Sequence, residues 1–256
     1  MEDPRPPRKM KNFRPVYVYF HILNYIFYLF SDSYLQRSYN SHFPLYFYIF
    51  TIFYFSGLNF YAKACEPPGF NEEEPENPEG LFFCEKCQKH NPIRCCHCND
   101  CGKCVLRRDH HCVWTGHCIG RDNHQGFYIF IIFEFCSDAM AAIDVLYSLI
   151  FHSHDYKSLG FLLLVFVCPW TVFATGQTSV LVFHHTKFIL FNVTTWELSR
   201  WYQVSYLTGR KMFSSPFSKG FIGNIKEFFS MKENKMVWPV PEAPSSLDSF
   251  REIHYR

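Results

Sequence analysis

Residues 84–118 read CEKCQKHNPIRCCHCNDCGKCVLRRDHHCVWTGHC, and these 35 positions hold nine of the chain's 12 cysteines together with His90, His97, His110, His111 and His117. Zinc sites draw on Cys and His at short spacings, four ligands to a closed structural ion. Here the spacings are Cys84-x2-Cys87, then His97-Cys98-x2-Cys101-x2-Cys104, then His111 and Cys118. These eight ligands suffice for two tetrahedral zinc ions. Cys112 is left over, directly behind Asp109, His110 and His111. A thiol in that setting is a candidate nucleophile, with His110 as its base and Asp109 orienting the imidazole.

Outward from this stretch the chain turns apolar. Of its 256 residues 20% are aromatic, with 30 Phe and 16 Tyr. The mean hydropathy of −0.11 averages a polar middle and tail with four apolar stretches, from Val16 to about Leu35, Phe43 to Ala62, Gly126 to Phe151 and Leu159 to His185. A helix needs about 20 apolar residues to cross a bilayer, and the last two stretches are long enough to tilt. His21, Asn24 and Ser31 interrupt the first stretch. It lacks a small-residue cleavage site and follows Arg5, Arg8, Lys9, Lys11 and Arg14, so it reads as an uncleaved span rather than a signal peptide.

Basic residues set the expected orientation. Segment 31–42 holds only Arg37 and segment 152–158 only Lys157, while the other Lys and Arg lie before the first span, in 63–125 or after His185. That asymmetry places both termini and the cysteine-rich segment in the cytosol, beside which the net charge of +2 says little. A reducing cytosol favours metal binding over disulfides, and Cys65, Cys136 and Cys168 read as small apolar residues. The sequon Asn192-Val193-Thr194 then faces away from the glycosylation machinery. The cluster Arg210-Lys211, with Lys219 and Lys226, suits an anionic leaflet.

The expected fold is an all-α polytopic membrane protein. It comprises a cytosolic tail (1–15), transmembrane helices 1 and 2 (16–62), a cysteine-rich two-zinc domain (63–125), transmembrane helices 3 and 4 (126–185) and a cytosolic C-terminal tail (186–256). The acidic, Pro-rich segment Glu66 to Glu79 reads as a flexible link, and the segment from Trp238 as disordered. Phe217, Phe221, Ile225, Phe228 and Phe229 fall at helical intervals and predict a docking stripe. No internal repeat is evident.

The pattern Cys84-x2-Cys87-x9-His97-Cys98-x2-Cys101-x2-Cys104-x4-Asp109-His110-His111-Cys112-x5-Cys118-x4-Asn123 resembles that of the DHHC-type protein S-acyltransferases (palmitoyltransferases). Thr194-Thr195-Trp196-Glu197 matches their Thr-Thr-x-Glu motif, and Phe217-x2-Gly220-x3-Asn224-x3-Phe228-Phe229 is similar to their C-terminal motif. The resemblance implies a ligand partition, with Cys84, Cys87, His97 and Cys104 around one zinc and Cys98, Cys101, His111 and Cys118 around the other. It implies acyl-CoA as donor, membrane-associated proteins with cytosolic cysteines as acceptors, contact with lipid, and residence in Golgi or endoplasmic reticulum. No nucleic-acid partner is expected. Thr195 would support Asp109, and Asn224 would hold the tail against the rest of the protein.

Arg94 is the chosen contact for CoA phosphates among Arg94, Arg107, Arg108 and Arg121, and Trp114 beside the thiol is a second substrate contact. Ser137 is the third. A sixteen-carbon chain of about 20 Å matches about fourteen residues of helix at ~1.5 Å each, counted from Asn123. Small Cys136 and Ser137, before Asp138, would form the floor of an acyl cavity. The chain departs from the family at Pro67-Pro68-Gly69, Cys95-Cys96, Val113, Gly116 and His117, with Cys95 or Cys96 as alternative ligands or further acylation sites. Two rivals remain, an inactive zinc-bound membrane scaffold and a membrane-anchored RING-like ubiquitin ligase. The intact Asp109-His110-x-Cys112 opposes the first, and the unassigned nucleophile opposes the second.

Overall fold

The computed structural model describes residues 12–33, 44–72 and 81–241. Arg5, Arg8, Lys9, Lys11, Arg37, residues 73–79 of the acidic link and the chain from 242 lie outside them. The chain forms two compact units, one of Ala64–Gln125 with the chain from His185, the other of Phe13–Lys63 with Gly126–His184.

The second unit is helical. It holds α1 (Arg14–Phe30), α2 (Pro44–Ala64) and most of α3 (His124–Phe151) and α4 (Leu159–Phe191). By length and composition α2 and α4 are apolar enough to cross a membrane. The 17 residues of α1 make it short for a crossing. Helix α3 carries Glu134, Asp138 and Asp144 along its length. It starts two residues before the expected span, and α4 continues six residues past His185.

Side chains in this unit are arranged inside out. Tyr28, Phe50, Ala141, Val145, Leu164 and Val167 form an apolar cluster, yet Glu134, Ser137, Asp144, Ser148 and Thr171 are buried beside it. Ile22, Ile52, Phe55, Ile150, Phe166 and Phe173 point outward. A polar interior under an apolar exterior is what a lipid solvent selects. The acids have partners: the Tyr17 hydroxyl and His21 meet Glu134, and Tyr28 donates to Asp144.

The first unit corrects the all-α expectation. Between α2 and α3 run six short strands, paired as three antiparallel hairpins: β1 (Phe82–Cys84) with β2 (Lys89–Asn91), β3 (Cys95–Cys98) with β4 (Lys103–Leu106), and β5 (His110–Cys112) with β6 (His117–Ile119). The protein is mostly helical with a small β module. Two cysteines separated by two residues point the same way only across a tight turn, and a tight turn between extended arms is a hairpin. Segment 68–71 runs beside β4, with Asn71 N–H on Cys104 O and Leu106 N–H on Gly69 O. Gly120 lies where this segment crosses, and a Cβ there would meet Pro68 O at 2.7 Å and Leu106 O at 2.9 Å. Only glycine fits.

Beyond α4 the chain forms α5 (Thr195–Ser199) and α6 (Gly220–Ser230). Helix α5 starts with a capping box: Thr194 Oγ1 accepts from Glu197 N–H, and the Glu197 carboxylate accepts from Thr194 N–H. Trp238 is not in a loose tail. It is buried, and its indole N–H donates to Glu227 Oε1 at 2.7 Å.

Candidate active site and metal centres

The hairpin turns bring the eight ligands into two groups. His97 Nδ1 lies 3.3 Å from Cys87 Sγ, 3.7 Å from Cys84 Sγ and 3.9 Å from Cys104 Sγ. His111 Nδ1 lies 3.4 Å from Cys101 Sγ, 3.6 Å from Cys98 Sγ and 3.8 Å from Cys118 Sγ. Tetrahedral zinc with bonds of about 2.3 Å to sulfur and about 2.0 Å to nitrogen separates S and N by roughly 3.6 Å. The donor sets therefore fit two closed zinc sites, and their membership is the partition given above. Cys95 Sγ lies instead near Asn91 Oδ1, at 3.5 Å.

The two sites are copies offset by 14 residues: Cys84, Cys87, His97 and Cys104 become Cys98, Cys101, His111 and Cys118. The backbone follows the same offset, since Gln88, Gly102 and Gly116 all have positive φ, at 53°, 65° and 77°. This is an internal repeat that motif reading missed, because ligands of the two sites alternate along the chain. Its signal was present in the equal spacing of Cys84, Cys98 and Cys112. Cys112 thus begins a third turn of the same kind, closed by Gly116 N–H on Cys112 O at 3.0 Å as the second is by Gly102 N–H on Cys98 O at 2.8 Å. In this third turn Thr115 stands where the second cysteine would be.

The β5–β6 register places His111 opposite Cys118 and Cys112 opposite His117. Asp109, just before β5, is fully buried and accepts from Thr195 N–H (2.8 Å), Thr195 Oγ1–H (2.8 Å) and His110 Nδ1–H (2.7 Å). Burial pushes its carboxyl up, but the surrounding imidazoles, foremost His124, hold it well below the usual carboxylate range. Burial also disfavours the His110 cation, yet hydrogen bonds with Asp109 and Cys112 push it up to about 9. Burial raises the Cys112 thiol; His110 outweighs it with help from Thr115, so the thiol lies below its ordinary value. The arrangement favours imidazolium beside thiolate. Trp114, half exposed, stands two residues from the sulfur.

Arg94 corrects its assignment as a phosphate contact. It is buried, with Nε and Nη2 on the two Glu197 oxygens at 2.7 and 2.8 Å and Nη1 and Nη2 on Asn192 Oδ1 and O. Its guanidinium stacks between Phe217 and Trp238, 4.6 and 5.0 Å from the ring centres. No face of it is turned to solvent. Arg107 is also buried, with a weak bond to Asn192 Oδ1, Arg108 donates to His97 O, and Arg121 pairs with Asp122. Asn192 itself is enclosed, donating to Phe217 O and Glu227 Oε1.

Asn224 accepts from Lys219 N–H and donates to Leu190 O at 2.7 Å, tying α6 to the end of α4. Ser137 belongs to the helical unit, where its hydroxyl donates to Phe133 O and Glu134 O beside a cavity of about 40 Å³. Unforeseen from sequence are His124 and His185, buried with Asp109 and 3.2 Å apart, and Glu197 as the partner of Arg94.

The profile of the family described as DHHC palmitoyltransferase matches residues 77–202, a span that holds both metal groups, Cys112 and Thr195. A Dictyostelium discoideum protein, "Putative ZDHHC-type palmitoyltransferase 7", is 31% identical over 163 residues, which are 61% of this chain and 36% of that protein. The chain thus matches about a third of the length of that relative. It belongs to the DHHC palmitoyltransferase family.

Proposed function

We propose that this protein transfers a long-chain fatty acyl group, palmitoyl in the first instance, from acyl-CoA to cysteines of membrane-associated proteins by a ping-pong mechanism through Cys112. The observation that carries the reading is the Asp109–His110 contact of 2.7 Å beside a cysteine that belongs to neither metal group. The Cys112 thiolate attacks the thioester carbonyl, the S-acyl bond to Cys112 forms, and the CoA sulfur leaves and takes the proton held by His110. His110 then accepts the proton of an incoming cysteine thiol, whose sulfur attacks the acyl-enzyme and releases the Cys112 thiolate. Thioester exchange is close to isoenergetic, so each half needs a thiolate and a well-placed proton rather than strong activation. Asp109, fixed by Thr195, keeps the imidazole aimed and favours its cationic form.

Zinc ions bound by the two Cys3His groups would be structural, each with four protein ligands and no open position, and would supply folding free energy on the order of 10 kcal/mol per site. In the proposed topology α1 to α4 cross the membrane and the zinc module faces the cytosol, where acyl-CoA is found. The test is incubation of the purified, zinc-replete protein with labelled palmitoyl-CoA. A hydroxylamine-sensitive adduct that is absent from Cys112→Ala is expected. A stable absence of label on well-folded wild-type protein would overturn the reading.

A further inference from the structure

We infer that His124 and His185 are positioning residues for acyl transfer, a hydrogen-bonded pair that walls Asp109 off from water and holds it on His110. The inference rests on the acyl-transfer reading and extends it to two residues outside the cysteine-rich segment. Both rings are buried. One nitrogen of each and an Asp109 carboxylate oxygen all lie within 4.8 Å of one another. The His185 ring also stands beside His110, with 6.0 Å between ring centres. Aromatic neighbours fix both orientations. Phe228 meets His124 nearly at right angles, 5.1 Å between centres, and Phe188 meets His185 in the same way at 5.9 Å. His124 opens α3, and its backbone N–H donates to Gly120 O at 3.0 Å.

Arg107 decides where the protons of this pair sit. Its Nη1 lies 3.4 Å from His124 Nδ1, and a guanidinium only donates, so that nitrogen accepts. The His124 proton is then on Nε2, which faces His185 Nδ1 at 3.2 Å. His185 Nδ1 accepts in turn, and its own proton is on Nε2. One fixed cation thus sets two tautomers and leaves both rings neutral, and burial opposes a charge on His124 in the same direction. Arg107 bears the marks of a constrained residue. Its φ is 44°, its Nη2 reaches Asn192 Oδ1 at 3.3 Å, and its buried Nε has no partner among the described residues. Backbone in this region is uncommon for a residue with a long side chain, and such outliers gather where a side chain must reach one place.

The consequence falls on Asp109. Thr195 and His110 supply its three hydrogen bonds, and the carboxylate is buried. Water in place of the two rings would compete for the same oxygens, and it would screen the bond to His110. A charged ring there would be a rival cation for the one carboxylate. Two neutral rings with fixed protons do neither, so Asp109 stays committed to His110. The donor set of Asp109, His124 and His185 also suits a metal ion in kind. Two observations oppose that occupant: the Arg107 cation lies against His124, and the Asp109 oxygens already accept three hydrogen bonds.

The experiment uses the full chain, zinc-replete, in lipid nanodiscs. Its first arm needs no acyl transfer: nitrogen NMR of protein labelled at histidine, with His124 and His185 assigned from variants. Both rings should be neutral and carry their proton on Nε2. The second arm follows single-turnover autoacylation against palmitoyl-CoA concentration. His185→Leu should slow the maximal rate roughly tenfold, with half-saturation and a zinc content of two per chain unchanged. His185→Asn, which keeps an acceptor where Nδ1 stands, should recover most of that rate. A charged ring or a proton on either Nδ1 in the wild type overturns the inference. So does wild-type acylation by His185→Leu, an Asn variant no better than the Leu variant, or a third metal equivalent lost with His185. Wild-type protein that forms no adduct sinks the acyl-transfer reading instead, and the spectrum still decides the proton order. Should His185→Leu fail to fold, the spectrum and the Asn variant decide.

Discussion

Thr195 grips both oxygens of Asp109, its backbone N–H on Oδ1 and its hydroxyl on Oδ2, each at 2.8 Å, across 86 positions of sequence. The first turn of α5 is therefore part of the proposed catalytic arrangement, and the capping box of Thr194 and Glu197 that shapes this turn would act on Cys112 at second hand. Thr195→Val keeps the N–H bond and removes the other. A hydrogen bond to a charged group contributes about 1.5–3 kcal/mol, so autoacylation should slow by roughly 10- to 100-fold while Thr195→Ser stays near wild type. Single-turnover rates measure this, with zinc content unchanged in both variants as the control.

Cys112→Ala and Cys112→Ser should each abolish the adduct and transfer while retaining two zinc ions per chain. The eight ligands close both groups without this thiol. Elemental analysis of the purified variant decides, and loss of a full equivalent would make Cys112 a ligand.

Cys98→Ser opens the second site, and the offset between the sites makes Cys84→Ser its counterpart in the first. Each should release one zinc and lower the melting temperature of the module, because a closed site missing a thiolate loses much of its affinity. A Cys98→Ser protein with two zincs and full activity would mean that Cys95 or Cys96 substitutes.

Arg94→Ala removes the cation from between Glu197, Asn192, Phe217 and Trp238. Breaking a buried pair from one side costs about 3–5 kcal/mol, so chemical denaturation should report a loss of that order. If Arg94 instead held CoA phosphates, stability would stay near wild type and the KM for acyl-CoA would rise.

Much of the site was readable because its chemistry is local. Ligand spacing, the leftover thiol and the acid–imidazole pair lie within 35 positions, and the turns that assemble them need no distant partner. The failures share a cause. The segment Pro92-Ile93-Arg94 beside the first metal group suggests a phosphate contact and gives no sign of Glu197, which arrives from 103 positions away. Trp238 heads a Pro- and Ser-rich segment, a composition that says nothing of the contacts with Glu227 and Arg94 that hold it. The hairpins went unseen because cysteine and histidine carry no alternating apolar pattern, so strand periodicity is invisible in a segment that metal rather than hydrophobic burial organises.

The third turn, with Thr115 in place of a second cysteine, sets how this module meets an electrophile. Eight donor groups are positioned for metal, and the Cys95 and Cys96 thiols are pushed well up, Cys95 by its bond with Cys104 and Cys96 by burial. Cys112 alone among the nine combines a lowered thiol with no place in either metal group. A mild alkylating reagent applied to the zinc-replete protein has one soft target in the most cysteine-dense part of the chain. Thr115→Cys would abolish that discrimination by placing a second thiol within reach of the first.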